Sequence, residues 1–132
     1  MTRRFGIDTS ILVRLATGDP EVDYLKNLAA LTRLVEQEQV EILVSNQVIG
    51  EAYMALQFHY GAAKSDARTA LATVLQSGLV AAQNGAKVIE VLLSEYPAGL
   101  LDRLIAEDYQ REGFETLTND KRMAKLPGCS KL

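Results

Sequence analysis

Apolar positions along the chain switch between two rhythms. "RRFGI" at 3–7, the compact β-branched run "VEILVS" at 40–45 and "FETLT" at 114–118 read as short strands. Between the first two, Val22, Leu25, Leu28, Ala29, Leu31, Leu34 and Val35 recur at three- to four-residue spacing and predict a helix over 21–37. Similar patterns predict helices over 10–16, 47–60, 63–75 and 100–112, the last with Gly113 where a left-handed cap residue belongs. "AKVIEVLL" at 86–93 reads as a strand through Val88 and Ile89, then a short helix ending before Pro97. A short helix over 120–125 is broken by Pro127, and "CSKL" has room only for a short last strand.

Strands alternating with helices predict an α/β fold with a mostly parallel central sheet and right-handed crossovers. At 132 residues, with no repeat, linker or low-complexity tract, the chain reads as one domain over 1–132. An apolar share of 48% and a charged share of 23% place it among ordinary soluble globular proteins. One cysteine, Cys129, excludes an internal disulfide framework and a C-x-x-C motif, and suits a reducing, cytoplasmic setting. One histidine, His59, argues against His-rich zinc sites and a His-based triad. The apolar stretch after "MTRR" is too short for a signal peptide, and no run approaches the roughly 18 to 20 apolar residues that span a bilayer. The net charge of −3 does not advertise a nucleic-acid binder, yet Lys121, Arg122, Lys125 and Lys131 crowd the last dozen residues.

The acids change the picture. In open parallel sheets ligands bind beyond the carboxyl ends of the strands. Asp8 directly follows the first predicted strand, and Asp120 follows "ETLT" with only Asn119 between. Asp8, Thr9 and Ser10 would also serve as ordinary helix caps. Glu51 lies about a turn into its helix with Val48, Met54, Ala55 and Phe58 along its face, where burying an acid is costly unless it is paired or ligated. Asp102, near the start of its helix, also suits the positive end of the helix dipole.

Four acids without a cysteine pair would make an oxygen-only site, the kind preferred by Mg²⁺ or Mn²⁺. Such carboxylates, brought together, would repel one another, and a divalent ion relieves that repulsion. The chemistry this favours is phosphodiester hydrolysis by metal-activated water. Thr9, Ser10, Thr118 and Asn119 would supply neutral groups to orient carboxylates or a phosphate.

"IDTSILVRLATGDP", the isolated Glu in "SNQVIGEAYMAL" and "DRLIAEDYQREGFETLTND" resemble the motifs of PIN-domain ribonucleases, especially the VapC-type toxins of prokaryotic toxin–antitoxin pairs. The likeness covers nearly the whole chain, and the stretch from Asp102 to Asp120 is its most specific part. It implies a three-layer α/β/α sandwich and an acidic metal site of Asp8, Glu51, Asp102 and Asp120, supported by the hydroxyls of Thr9 and Thr118. It also implies Mg²⁺ or Mn²⁺ as cofactor, single-stranded or looped RNA as substrate, a homodimer, and a cognate antitoxin as partner. Tyr109 stands where a small residue is common in that helix, and Asp108 adds an extra acid.

Arg14, Lys121, Arg122 and Lys125 are candidates for contacting RNA phosphates, against the simpler reading of a turn cap and a solvated charge run. Glu107, Glu112 and Glu115 read as surface charges. Two other functions compete with a metal-dependent endoribonuclease. One is a catalytically silent domain of the same fold that binds RNA or a protein partner. The other is an aspartyl phosphatase or phosphoacceptor domain, which the Thr9 and Ser10 that follow Asp8 disfavour.

Overall fold

The structure, a computed structural model, describes residues 2–95 and 98–132. Its elements run β1 (Arg4–Gly6), α1 (Thr9–Thr17), α2 (Glu21–Gln37), β2 (Glu41–Val44), α3 (Asn46–Phe58), α4 (Lys64–Leu75) and β3 (Ala81–Ala82). They continue with α5 (Ala86–Leu93), α6 (Leu100–Arg111), β4 (Thr116–Thr118), a 3-10 turn at Met123–Lys125 and β5 (Cys129–Lys131). This is the α/β fold class expected, and every strand pair among the described residues is parallel.

Parallel neighbours cannot be joined by a hairpin, so each pair needs a long crossover. The pair α1–α2 carries the chain from β1 to β2, and α3–α4 carries it from β2 to β3. β2 is the centre of this sheet, with Phe5 opposite Ile42 on one side and Leu43 opposite Ala81 on the other. β4 and β5 form a separate two-stranded ladder, Thr116 opposite Cys129.

Helix boundaries follow local chemistry. α1 starts at Asp8, whose side chain accepts the Ile11 N–H, and stops at Gly18, whose φ of 68° directs its N–H to the Arg14 carbonyl. α3 starts at Ser45, whose hydroxyl accepts the Val48 N–H. One hydrophobic core, in which Leu12, Val44, Ile49, Leu71, Val88 and Leu92 are wholly excluded from solvent, joins the first sheet to its helices. A smaller cluster of Ala98, Ala106, Met123 and Leu126 holds the C-terminal ladder against α6. Gln110 reinforces that contact by donating to the Pro127 carbonyl, beside Gly128.

The segment 86–93 corrects the sequence reading. It is helical throughout, because Val88 and Leu92, four residues apart, bury one face of α5. The third strand is instead the two-residue β3, built of alanines with poor strand propensity, which exists because Leu43 and Val44 pair with it. The short helix expected over 120–125 is a 3-10 helix confined to Met123–Lys125. The position of Pro97 lies outside the described residues.

Leu12 anchors α1, and through it Asp8 and Thr9, to the core. Leu12→Ala is expected to lower the unfolding free energy by about 2–5 kcal/mol, as for other fully buried leucines, measured by urea denaturation.

Candidate functional site

Asp8 sits where β1 gives way to α1. The Ile7 N–H still bonds the Leu43 carbonyl at 3.3 Å, and the next residue turns the chain into the helix. Its Oδ1 accepts from the Ser10 hydroxyl at 2.7 Å and from the Ile11 N–H at 3.2 Å. Both bonds end on the same oxygen and leave Oδ2 uncommitted by either. The Ser10 hydroxyl first, then the Ile11 N–H, hold the Asp8 carboxyl below the usual carboxylate range, with a smaller contribution from the Arg14 charge.

Asp120 repeats the arrangement after β4. Its Oδ1 accepts from the Arg122 N–H at 2.7 Å and the Met123 N–H at 2.9 Å, and its own N–H donates to the Thr118 hydroxyl at 3.0 Å. Those two backbone donors, Met123 first, lower the Asp120 carboxyl as well. Two strand-end aspartates therefore cap the turn that follows them with one oxygen each. The ordinary capping role and a ligand role use different atoms.

Glu51 is exposed on α3, and the Thr9 hydroxyl donates to its Oε2 at 3.3 Å. Thr9 thus ties Glu51 to the residue adjoining Asp8. Asp102 lies half-buried in the first turn of α6, which packs against α3 where Gly50 lets Leu101 and Leu104 approach. Among the described residues no three Asp, Glu, His or Cys side chains surround a point that could hold a metal ion. What the structure joins is Glu51 to Thr9, the residue after Asp8, making a corner of the β1–α1 junction and α3; Asp102 and Asp120 lie on other elements.

Arg14 is half-buried, and its Nη1 donates to the Asn27 side chain at 3.2 Å, so α1 and α2 hold it in place. Lys121, Arg122 and Lys125 are exposed. Glu107 is not the surface charge that its sequence context indicates: it is 7% exposed. It accepts from the Asn46 and Asn84 side-chain amides, each at 2.8 Å, and Asn84 also donates to Asp108 at 2.6 Å. Asn46 and Asn84 stand just past the ends of β2 and β3, so this network ties two strand ends to α6. Sequence spacing gave no sign of it, since the three residues are remote along the chain. The one cue was Asn46 following the legible strand at 40–45, since β3, which Asn84 follows, was not itself legible.

With this geometry in hand, the comparison with known families is decisive. The PIN domain family matches residues 6–128. The chain belongs to the PIN domain family. No curated protein and no solved structure matches it. PIN domains are generally nucleases and usually depend on divalent metals. In this PIN domain the donor chemistry at Asp8 and Glu51 fits such an ion in type, because both offer carboxylate oxygens. Mg²⁺ in particular is commonly held by one or two carboxylates, with water and substrate phosphate filling the remaining positions. Among the described residues a closed three-ligand protein cage is not built.

The depressed Asp8 carboxyl makes stability depend on pH in one direction. Its contribution is complete above the unfolded carboxylate value of about 3.9 and is lost as pH falls through the lower folded value. Asn caps a helix about as well as Asp, so Asp8→Asn should fold and show a shallower loss of stability below about pH 4 in acid-unfolding curves. Asn46→Ala removes a donor from buried Glu107 and from the Leu104 carbonyl, and should cost about 1–3 kcal/mol in the same denaturation assay.

Proposed function

We propose that this PIN domain is a metal-dependent endoribonuclease and the toxin of a type II toxin–antitoxin pair. It would act in the cytoplasm on RNA as a homodimer restrained by a cognate antitoxin. No described helix is long and apolar enough to cross a membrane. The observation that carries the nuclease reading is the Asp8–Thr9–Glu51 corner at the end of β1, inside a domain whose family generally cleaves nucleic acid.

Asp8, Glu51, Asp102 and Asp120 are the proposed ligands, with Thr9 and Thr118 as supporting hydroxyls. When bound, Mg²⁺ or Mn²⁺ would supply an activated water and neutralise charge on the phosphodiester. The chain's own residues do the rest. Asp8 is kept ionised by its Ser10 and Ile11 bonds, so it presents a full negative charge at neutral pH. Thr9 orients Glu51 by donating to one of its oxygens and leaves the other available. The Arg122 and Met123 amides orient Asp120 by donating to one of its oxygens, and the Thr118 hydroxyl accepts from its backbone N–H. Arg14, Lys121, Arg122 and Lys125 are proposed to attract the RNA backbone.

A second reading has one observation in its favour. The absence of a three-ligand group among the described residues suits a catalytically silent PIN domain that binds RNA or a protein. Cleavage of RNA in Mg²⁺ or Mn²⁺ separates the two. The nuclease reading expects cleavage that stops with EDTA and falls at least about 100-fold in Asp8→Asn, as when a charged group at a reacting centre is lost. Equal cleavage by Asp8→Asn, or none by the parent chain, sinks it. Thr9→Val, which frees Glu51 without removing a carboxylate, should raise the metal concentration needed for half-maximal cleavage by about 10-fold.

A further inference from the structure

Two arginines are buried where the nuclease reading has no use for them. Arg68 on α4 is 7% exposed and Arg103 on α6 is 6% exposed. Both line a cavity of about 500 Å³, together with Tyr53, Lys64, Ser65 and Arg122. Arg68 donates to the Ser94 carbonyl at 2.8 Å and pairs with Glu95 at 2.7 Å, but the Glu95 side chain is 73% exposed. Arg103 donates to the carbonyls of Ala98 at 2.8 Å and Val91 at 2.5 Å, and forms no ion pair among the described residues. Carbonyl dipoles satisfy its N–H groups without cancelling its charge.

The charge balance of this cavity is therefore positive. The guanidiniums of Arg68, Arg103 and Arg122 and the ammonium of Lys64 share it with one solvent-facing carboxylate, Glu95. Burial pushes the Arg103 guanidinium down, and the like charge of Arg68 adds to the effect, so the two cations act on each other. Charge withdrawn from water without a counter-ion is costly. The starts of α4 and α6 also line the cavity, through Lys64 and Ser65 in the first turn of α4 and through Gly99 and Leu100 at the N-cap and first position of α6; the acids of these two turns, Asp66 and Asp102, are not among the lining residues. Neither helix has a side-chain cap, so their first N–H groups remain donors.

We propose that this cavity is an anion site that takes the phosphate group of a nucleotide-sized ligand. The net positive charge of these side chains, the exposed Lys64 ammonium and the uncapped helix N–H groups match the several oxygens of a phosphate better than they match a single carboxylate. The volume exceeds a bare phosphate and is of the size that holds a small ligand. Arg103 follows Asp102 in the chain and Arg122 lies two residues past Asp120. A phosphate held here would therefore sit beside segments that carry two of the proposed acids. If the phosphate belongs to RNA, that part of the inference rests on the nuclease reading; the anion site itself does not.

The test is calorimetric titration with inorganic phosphate of the full chain and of Lys64→Gln and Arg103→Gln. Saturable binding to the parent chain is expected. It should weaken about 10-fold or more in Arg103→Gln, the size of effect seen when a charge-assisted hydrogen bond is lost, and several-fold in Lys64→Gln. Lys64 is exposed, so its variant keeps the test decisive if Arg103→Gln does not fold. Absence of saturable binding, or unchanged affinity in Lys64→Gln, overturns the proposal. The source is read in Asp8→Asn, which lacks the proposed cleavage but keeps this cavity. Displacement of phosphate by hexauridylate assigns the site to an RNA strand, and displacement by adenosine monophosphate alone assigns it to a free nucleotide. Phosphate that neither displaces marks a site for the inorganic ion only and overturns the nucleotide assignment. Retained phosphate binding with lost cleavage supports both readings, whereas lost phosphate binding with intact cleavage removes only this one.

Discussion

The arrangement turns on one carboxylate oxygen doing local work so that the other need not. At Asp8 and again at Asp120, Oδ1 takes up donors of the following turn. These bonds fix the rotamer of a short side chain at the point where a strand ends. They also favour the ionised form, as both lowered carboxyls show. A strand-end aspartate is thus an oriented anion before any ligand is considered. Its orientation depends on the strand, because the Ile7 bond to Leu43 holds the chain extended up to the residue before Asp8.

From that point the packing decides which groups meet. α1 is set by Leu12 in the core and reaches α3, where the Thr9 hydroxyl meets Glu51. α3 in turn is tied to α6 by Asn46, whose amide bonds both the Leu104 carbonyl and Glu107. The C-terminal ladder rests on α6 through its own small cluster and shares no strand pairing with β1. The family match over residues 6–128 identifies the domain, while the side-chain placements say which corner of it is assembled.

Buried charge divides the molecule into two chemically distinct regions. Around Asn46, Asn84 and Glu107, a carboxylate is compensated by amide donors alone. Around Arg68 and Arg103, guanidiniums are compensated by carbonyls and one exposed acid. The first is a set of amide-to-carboxylate bonds that locks strand ends to a helix. The second leaves positive charge facing a cavity, and α6 contributes to both.

Local chemistry was legible along the chain wherever a feature depends on near neighbours. The boundaries of α2, predicted from apolar spacing alone, agree with the structure, and Gly113 takes the positive φ expected after α6. Asp8 and Asp120 were visible as strand-end acids for the same reason. What depends on remote partners was not legible. The two-alanine β3 has no propensity of its own and exists only through pairing with β2. Val88 and Ile89 look like strand residues until burial of Val88 with Leu92 makes their segment a helix. Glu107 looks like a surface charge on α6 until asparagines from other elements enclose it. Helix caps and amphipathic periods are written within a few residues. Burial, and the charge it traps, is set by whichever distant segment arrives, and only the tertiary structure decides that.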